Sequence, residues 1–308
     1  MQIKNIGSYN YSYSKRSKEE ISKTPVFREW QREVYKTLKM PYRDVEKLVY
    51  RNYTALFRGD REIPQIMDAI VKLHKKAPKI HTRFYGCSFG AETYSAYMYV
   101  LSKYGENILS KFLPFKAMDI DEFAIKKAKE GILPVNAVEF FRIQKYTGDR
   151  FNEFFHGKEI GIPDGHINDL WDYYPLLHNI FEQIDVGKNY TKSGSMIKLN
   201  EKYTKNIHYS VADVMKDWQN IEPENSVTSL RNFLPYLKDR EIITLITGLG
   251  KHLKKDSCLI LGSYDFYPTD RYYSFFLNNL LSDNGFKELD TDLYPGYVYR
   301  KTHKFKLL

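Results

Sequence analysis

The sequence predicts an α/β protein, an open and largely parallel sheet with helices on both faces. Three observations predict it. Short stretches of alternating or continuous apolar character near 80–85, 111–118, 226–230 and 257–262 take turns with stretches of helical period. The run Phe84-Tyr85-Gly86-Cys87-Ser88-Phe89-Gly90 sets two glycines between a strand pattern and a helix pattern. A carboxylate, Asp119, ends the next strand pattern 33 residues after Gly86, the place from which nucleotide-binding βαβ units hold ribose hydroxyls.

Taken in order, residues 1–24 read as a polar tail. Val26, Phe27, Trp30, Val34 and Leu38 recur at helical spacing, and Pro41 closes that pattern. A second helical pattern follows Pro64, with Ile66, Met67, Ile70 and Val71 on one side; the intervening RNYTALFRGDRE, residues 51–62, fits neither period. Ile80 to Tyr85 is expected to be a strand and Glu92 to Tyr104 a helix, through Tyr94, Tyr97, Met98 and Leu101. Lys111 to Met118 reads as a strand that ends at Asp119-Ile120-Asp121, and a helix through Phe123, Ala124, Ala128 and Ile132 follows. Further on come a strand (226–230), a helix (240–253), a strand (257–262), a helix (272–281) and a closing antiparallel pair (286–289 with 297–301). Residues 135–205 carry no assignable period and are expected to be an insertion over the sheet edge. The predicted organisation is therefore a tail and helical region over 1–75 and one sheet domain over 76–308, with its insertion at about 135–205.

Composition narrows the class. Two cysteines in 308 residues suit a reducing cytoplasm and exclude a cysteine-built zinc site. The eight histidines show no metal-binding spacing, so no metal is expected. The chain has no apolar run of about 18 residues, so no membrane span is expected, and its first residues lack the apolar segment of a signal peptide. The net charge of +9 is dispersed: residues 1–72 carry 15 Lys/Arg against 9 Asp/Glu, without an arginine block. It describes either a solvated lysine-rich surface or a surface for an acidic partner, protein or nucleic acid.

The glycine turn also bears on the ligand. A dinucleotide site wants G-x-G-x-x-G with a helix N-terminus facing a pyrophosphate. Here Glu92 stands in the first helical turn, where it would repel phosphate and attract a cation. S-adenosylmethionine, with a ribose, an ammonium and a sulfonium but no phosphate, fits this chemistry better than NAD.

GCSFGAETYSAYMYV followed by AMDIDEFAIKKAKEGI resembles the CheR-type chemotaxis receptor (protein-glutamate) O-methyltransferase family, in a divergent form. RNYTALFRGDRE is similar to its T-x-F-F-R-D motif. SLRNFLPYLKDREIITLITGLGKHLKKDSCLILGSYDF is similar to its C-R-N-V-x-I-Y-F-D, helix and L-G-x-S-E series. The likeness runs in order over most of residues 50–266. It implies a Rossmann-like class I sheet dependent on S-adenosylmethionine, and methyl transfer to a protein carboxylate. By resemblance, Arg58 and Arg231 would meet the cofactor carboxylate and the acceptor carboxylate. Glu92 would hold the cofactor amino group and Asp119 the ribose hydroxyls, with the adjoining Ile120 also at the cofactor. Asp213 and Val214 would flank the adenine, and Asn232 would lie near the methionine moiety. Tyr236 would face the methyl group, and Gly86, Cys87, Ser88 and Gly90 would form the turn. The implied partner is an acidic protein such as a chemotaxis-type receptor.

Each of these side chains also has an ordinary reading: Arg58 as a surface arginine, Arg231 as the partner of an acid at a strand end, Tyr236 as packing in a chain with 26 tyrosines. Three other functions stay open: a nucleic-acid methyltransferase, for which Asn232-Phe233-Leu234-Pro235-Tyr236 is a poor N-P-P-Y match; a small-molecule methyltransferase; and a non-catalytic cofactor-binding module. A carboxylate acceptor has a reference pKa of about 4.3, so it is anionic at neutral pH and needs no general base.

Overall fold

A computed structural model describes residues 54–135, 137–155, 195–266, 271–289 and 298–302. The expected tail and the helix around Trp30 lie outside the described residues. The described chain opens with turns and then α1 (Glu62–Leu73), whose face of Ile63, Ile66, Met67 and Ile70 is buried. Pro64 sits inside its first turn rather than before it; the first N–H groups of a helix have no intrahelical acceptor, so a proline there forfeits nothing. There follow β1 (His81–Tyr85), α2 (Ala91–Phe112), β2 (Phe115–Asp119), α3 (Glu122–Glu130), β3 (Ile132–Val135), α4 (Ala137–Thr147), α5 (Phe151–Phe154), β4 (Ser195–Lys198), α6 (Glu201–Thr204), β5 (Ile207–Val211), α7 (Val214–Asp217), β6 (Ser226–Ser229), α8 (Asp239–His252), β7 (Cys258–Ile260), α9 (Arg271–Asp283), β8 (Phe286–Glu288) and β9 (Val298–Lys301).

Seven strands form one sheet in the order β5-β2-β1-β6-β7-β9-β8. The first five run parallel; β9 is antiparallel to both β7 and β8. β1 has β2 on one side and β6 on the other, so the order reverses there, and ligand crevices of open α/β sheets form beyond the strand C-termini at such a point. The core beside β6 and β7 is built from Ile242, Leu245, Ile246 and Leu249 of α8 with Leu230, Leu259 and Leu281. Each such side chain contributes roughly 1.5–3 kcal/mol of burial. On α2, Asp68 of α1 accepts from Tyr99 Oη at 2.8 Å and Tyr104 Oη at 2.6 Å and pairs with Lys103 at 2.7 Å.

Three element boundaries differ from the sequence expectation. The second helix does not stop at Tyr104: Gly105 leaves helical geometry at φ +77°, the helix resumes to Phe112, and Leu109 and Phe112 are buried from it. The strand therefore starts at Phe115 and not at Lys111. Ile132 is not helical, because Gly131 ends α3 in the left-handed conformation and Ile132 opens β3. The region 135–205 contains helices α4, α5 and α6, and its two ends are joined where β3 pairs antiparallel with β4, Val135 opposite Ser195. Among the described residues no helix is long and apolar enough to cross a membrane.

Candidate active site

The C-terminal ends of β1, β2, β5, β6 and β7 share one rim of the sheet, and the Gly86–Gly90 turn, Asp119, Asp213 and Arg231 stand at or just after four of them. After β1 the chain turns through Gly86 (φ +66°), Ser88 (φ +51°) and Gly90 (φ +85°) into α2. Asp119 at the end of β2 organises this turn. Its Oδ2 accepts from the Ser88 N–H at 2.8 Å and its Oδ1 from the Asp121 N–H at 3.0 Å. Burial raises the Asp119 carboxyl above its usual range, and the backbone N–H groups act against that. Burial, with the Asp119 charge added, likewise holds the Cys87 thiol well above its ordinary value. Gly90 has a reason within the protein: a Cβ there would lie 2.4 Å from Tyr209 Oη and 3.0 Å from the Tyr94 ring. Gly86 is exposed and faces the Phe233 ring, 3.2 Å from where a Cβ would be. Beside Asp119, the Ile120 side chain is 66% exposed.

Beyond β6, Arg231 is buried between two carboxylates. Its Nη1 donates to Glu92 Oε2 at 2.9 Å, and its Nη2 donates to Glu62. The other Glu92 oxygen, Oε1, accepts from Ser229 Oγ at 2.6 Å. One guanidinium and two carboxylates sum to −1. Glu62 reaches this place because Phe57, Gly59 and Asp60 all take positive φ. The Glu62 side chain then curls over Gly59, filling the space a Cβ would need. The same loop is pinned by the Phe57 N–H to Ser95 Oγ at 2.8 Å, by Phe57 stacking on Tyr146 at 5.1 Å, and by Lys145 on Asp60 at 2.9 Å. It carries Arg58, which is half-buried.

The loop after β6 continues through Asn232 (φ +57°) into a short turn, Leu234–Tyr236, on which Tyr236 is 62% exposed. Asp265 of the turn after β7 lies beneath it, fully buried, accepting from three backbone N–H groups; burial pushes its carboxyl up to about 7, against those N–H groups and the charge of Arg231. On the far side of Asp119, the Ala212 N–H donates to the Asp119 carbonyl at 3.0 Å, Asp213 caps α7 through the Met215 N–H at 2.9 Å, and Val214 is buried.

Five parallel strands closed by a reversed β9 inserted between β7 and β8 make the sheet of a class I S-adenosylmethionine-dependent methyltransferase. Residues 52–159 match the family model described as CheR methyltransferase, SAM binding domain. The cofactor is S-adenosylmethionine. No curated protein matches the chain. Among solved structures it is similar to a TehB-like SAM-dependent methyltransferase from Corynebacterium glutamicum (11% identity, 75% of this chain and 84% of that one, TM-score 0.34). It is also similar to magnesium protoporphyrin IX methyltransferase from Synechocystis PCC 6803 (11% identity, 79% and 77%, TM-score 0.37). A third is the N-methyltransferase NodS from Bradyrhizobium japonicum WM9 in complex with S-adenosyl-L-homocysteine (12% identity, 84% and 98%, TM-score 0.38).

Three rim residues, Ser229, Glu62 and Asp265, stand outside the sequence expectations. Ser229 has no sequence signal. Glu62 ends the RNYTALFRGDRE stretch, but its partner Arg231 is 169 residues away. Asp265 could have been found, since it stands where L-G-x-S-E has its acid.

Proposed function

We propose that the protein transfers the methyl group of S-adenosylmethionine to a carboxylate, giving a methyl ester, and that the acceptor is a glutamate side chain of an acidic protein, a chemotaxis-type receptor being one instance. The observation that carries this reading is the shared rim: Asp119, Glu92, Arg231, Asn232 and Tyr236 follow the ends of adjacent parallel strands in a CheR-type chain.

The residues fit the cofactor. The turn after β1 offers a carboxylate instead of a phosphate cradle, and the Glu62–Arg231–Glu92 group carries a net negative charge suited to an ammonium. Asp119 presents a fixed acceptor for ribose hydroxyls, and exposed Ile120 beside it offers apolar surface for an adenine face. Bound there, S-adenosylmethionine supplies a methyl group on a sulfonium, open to in-line displacement. The protein's part is positioning and desolvation. Asp119 holds the ribose end, Glu92 the amino group, and Asp213 with Val214 the adenine side. Gly86, Cys87, Ser88 and Gly90 bring the backbone close. Asn232 bounds the methionine end. Arg231, bonded to Glu92, keeps that carboxylate oriented. Arg58 draws in the acceptor carboxylate, and the Tyr236 hydroxyl orients it. The acceptor is already anionic, so no base is required.

The test uses S-adenosylmethionine carrying a labelled methyl group and a lysate of the source cells, with the products then exposed to mild base. Release of the label as volatile methanol is expected. Label that is transferred but survives base would mean an N-methyl or ether product and would overturn the carboxylate reading in favour of a nucleic-acid or small-molecule acceptor.

A further inference from the structure

Asp265 is the one fully buried carboxylate among the described residues, and nothing in the cofactor chemistry above uses it. All three of its described hydrogen bonds come from backbone. Oδ2 accepts from the Gly262 N–H at 2.6 Å and the Asn232 N–H at 2.7 Å, and Oδ1 accepts from the Leu234 N–H at 3.0 Å. Two of these donors belong to the loop after β6, and the third to the loop after β7. The two loops also touch directly, for a Cβ on Gly262 would lie 2.2 Å from Asn232 Oδ1.

This arrangement answers a local difficulty. Asn232 is held at φ +57°, a conformation that costs an L residue roughly 1–2 kcal/mol in the absence of compensation. Two residues on, the Leu234 N–H starts the turn that ends at Tyr236, closed by the Tyr236 N–H on the Phe233 carbonyl at 3.0 Å. Withdrawing a carboxylate from water is itself costly, and an apolar residue would fill the same space without that penalty. Oδ2 takes N–H groups from both loops at once, and only a second acceptor oxygen, Oδ1, can also hold the Leu234 N–H that starts the turn.

We propose that Asp265 is a positioning residue for methyl transfer, its carboxylate fixing the loop 231–236 and so setting the Tyr236 hydroxyl against the acceptor. This rests on the acceptor-side role given to Tyr236 above. A misplacement of about 1 Å at a reacting centre can reduce turnover on the order of a hundredfold.

The experiment is a double-mutant cycle of Asp265→Asn and Tyr236→Phe, read as the initial rate of total label transferred from S-adenosylmethionine to the lysate. Counting total label keeps the cycle readable whether or not the product is an ester. Asp265→Asn offers one acceptor oxygen in place of two and is expected to slow transfer about tenfold or more. Adding Tyr236→Phe to it is expected to cost little further, because both changes act on one hydroxyl. Asp265→Glu, which keeps two acceptor oxygens, should recover part of the rate. Amide exchange gives a second reading that needs no acceptor: in Asp265→Asn the amides of Asn232, Leu234 and Tyr236 should exchange about tenfold faster or more, with those of β1 and α8 unchanged. Additive effects in the cycle, or exchange that is unaltered at the loop or accelerated throughout α8, would overturn the proposal. Base-stable label with a non-additive cycle would instead remove the carboxylate reading and leave Asp265 in its role.

Discussion

Replacing Asp119 by alanine tests the cofactor site most directly. The carboxylate is 8% exposed and holds two backbone N–H groups, at 2.8 and 3.0 Å. Removing it acts twice. The turn loses its two fixed acceptors, at about 1–3 kcal/mol, which lowers Tm by roughly 2–4 °C for each kcal/mol in a unit of this size. That is a fraction of the ~5–15 kcal/mol that ordinarily separates folded from unfolded protein, so the variant should still fold. The cofactor loses its ribose acceptor, and with water entering to replace part of the interaction, the net cost to binding is ~1–3 kcal/mol. That corresponds to S-adenosylhomocysteine binding about 5–150 times more weakly. Calorimetric titration of S-adenosylhomocysteine into wild type and variant, with a thermal melt of each, measures both effects. A folded Asp119→Ala protein that binds S-adenosylhomocysteine within twofold of wild type would refute the ribose role.

Other consequences are as direct. Tyr236→Phe and Arg58→Ala should each reduce the rate of methyl transfer while leaving the melt and S-adenosylhomocysteine binding near wild type, since Tyr236 stands exposed and Arg58 half-buried on pinned loops; full activity in both would remove the acceptor site. Gly90→Ala should destabilise by roughly 2–4 kcal/mol in urea unfolding, because it combines a left-handed backbone (φ +85°) with a Cβ 2.4 Å from a buried tyrosine; wild-type stability would show that Tyr209 yields freely. Glu222 supplies a pH dependence. Burial would raise its carboxyl, but Lys116 and Arg83 outweigh that and hold it at about 2. Its folded pKa is thus depressed, so its stabilisation is present above about 4.5 and is lost as pH falls toward 2. Glu222→Gln should flatten the acid limb of a Tm-against-pH curve, and an unchanged limb would count against it.

Much of the fold was legible because its signals are local. Strand and helix periods, the glycine turn after β1 and the acid ending β2 each occupy a few consecutive residues, and together they specify an α/β sheet. Boundaries slipped where two local signals competed. Lys111 to Met118 alternates like a strand, yet Leu109 and Phe112 are buried from a helix that resumes past Gly105. The region 135–205 gave no period because its defining contact is distant: Val135 pairs with Ser195 across 60 residues.

The class of the fold, the glycine turn after β1 and the acid that ends β2 are written in short segments of the sequence, since backbone period and residue chemistry are local properties. Tertiary structure alone decided which charges meet. Arg231 is buried between Glu92 and Glu62, and Asp265 is placed under the loop that carries Tyr236, only because parallel strands bring their C-terminal ends to one rim. Coulomb attraction and backbone hydrogen bonds act over a few ångströms, and the separation of two residues in the chain says nothing about that distance until the strands have been ordered.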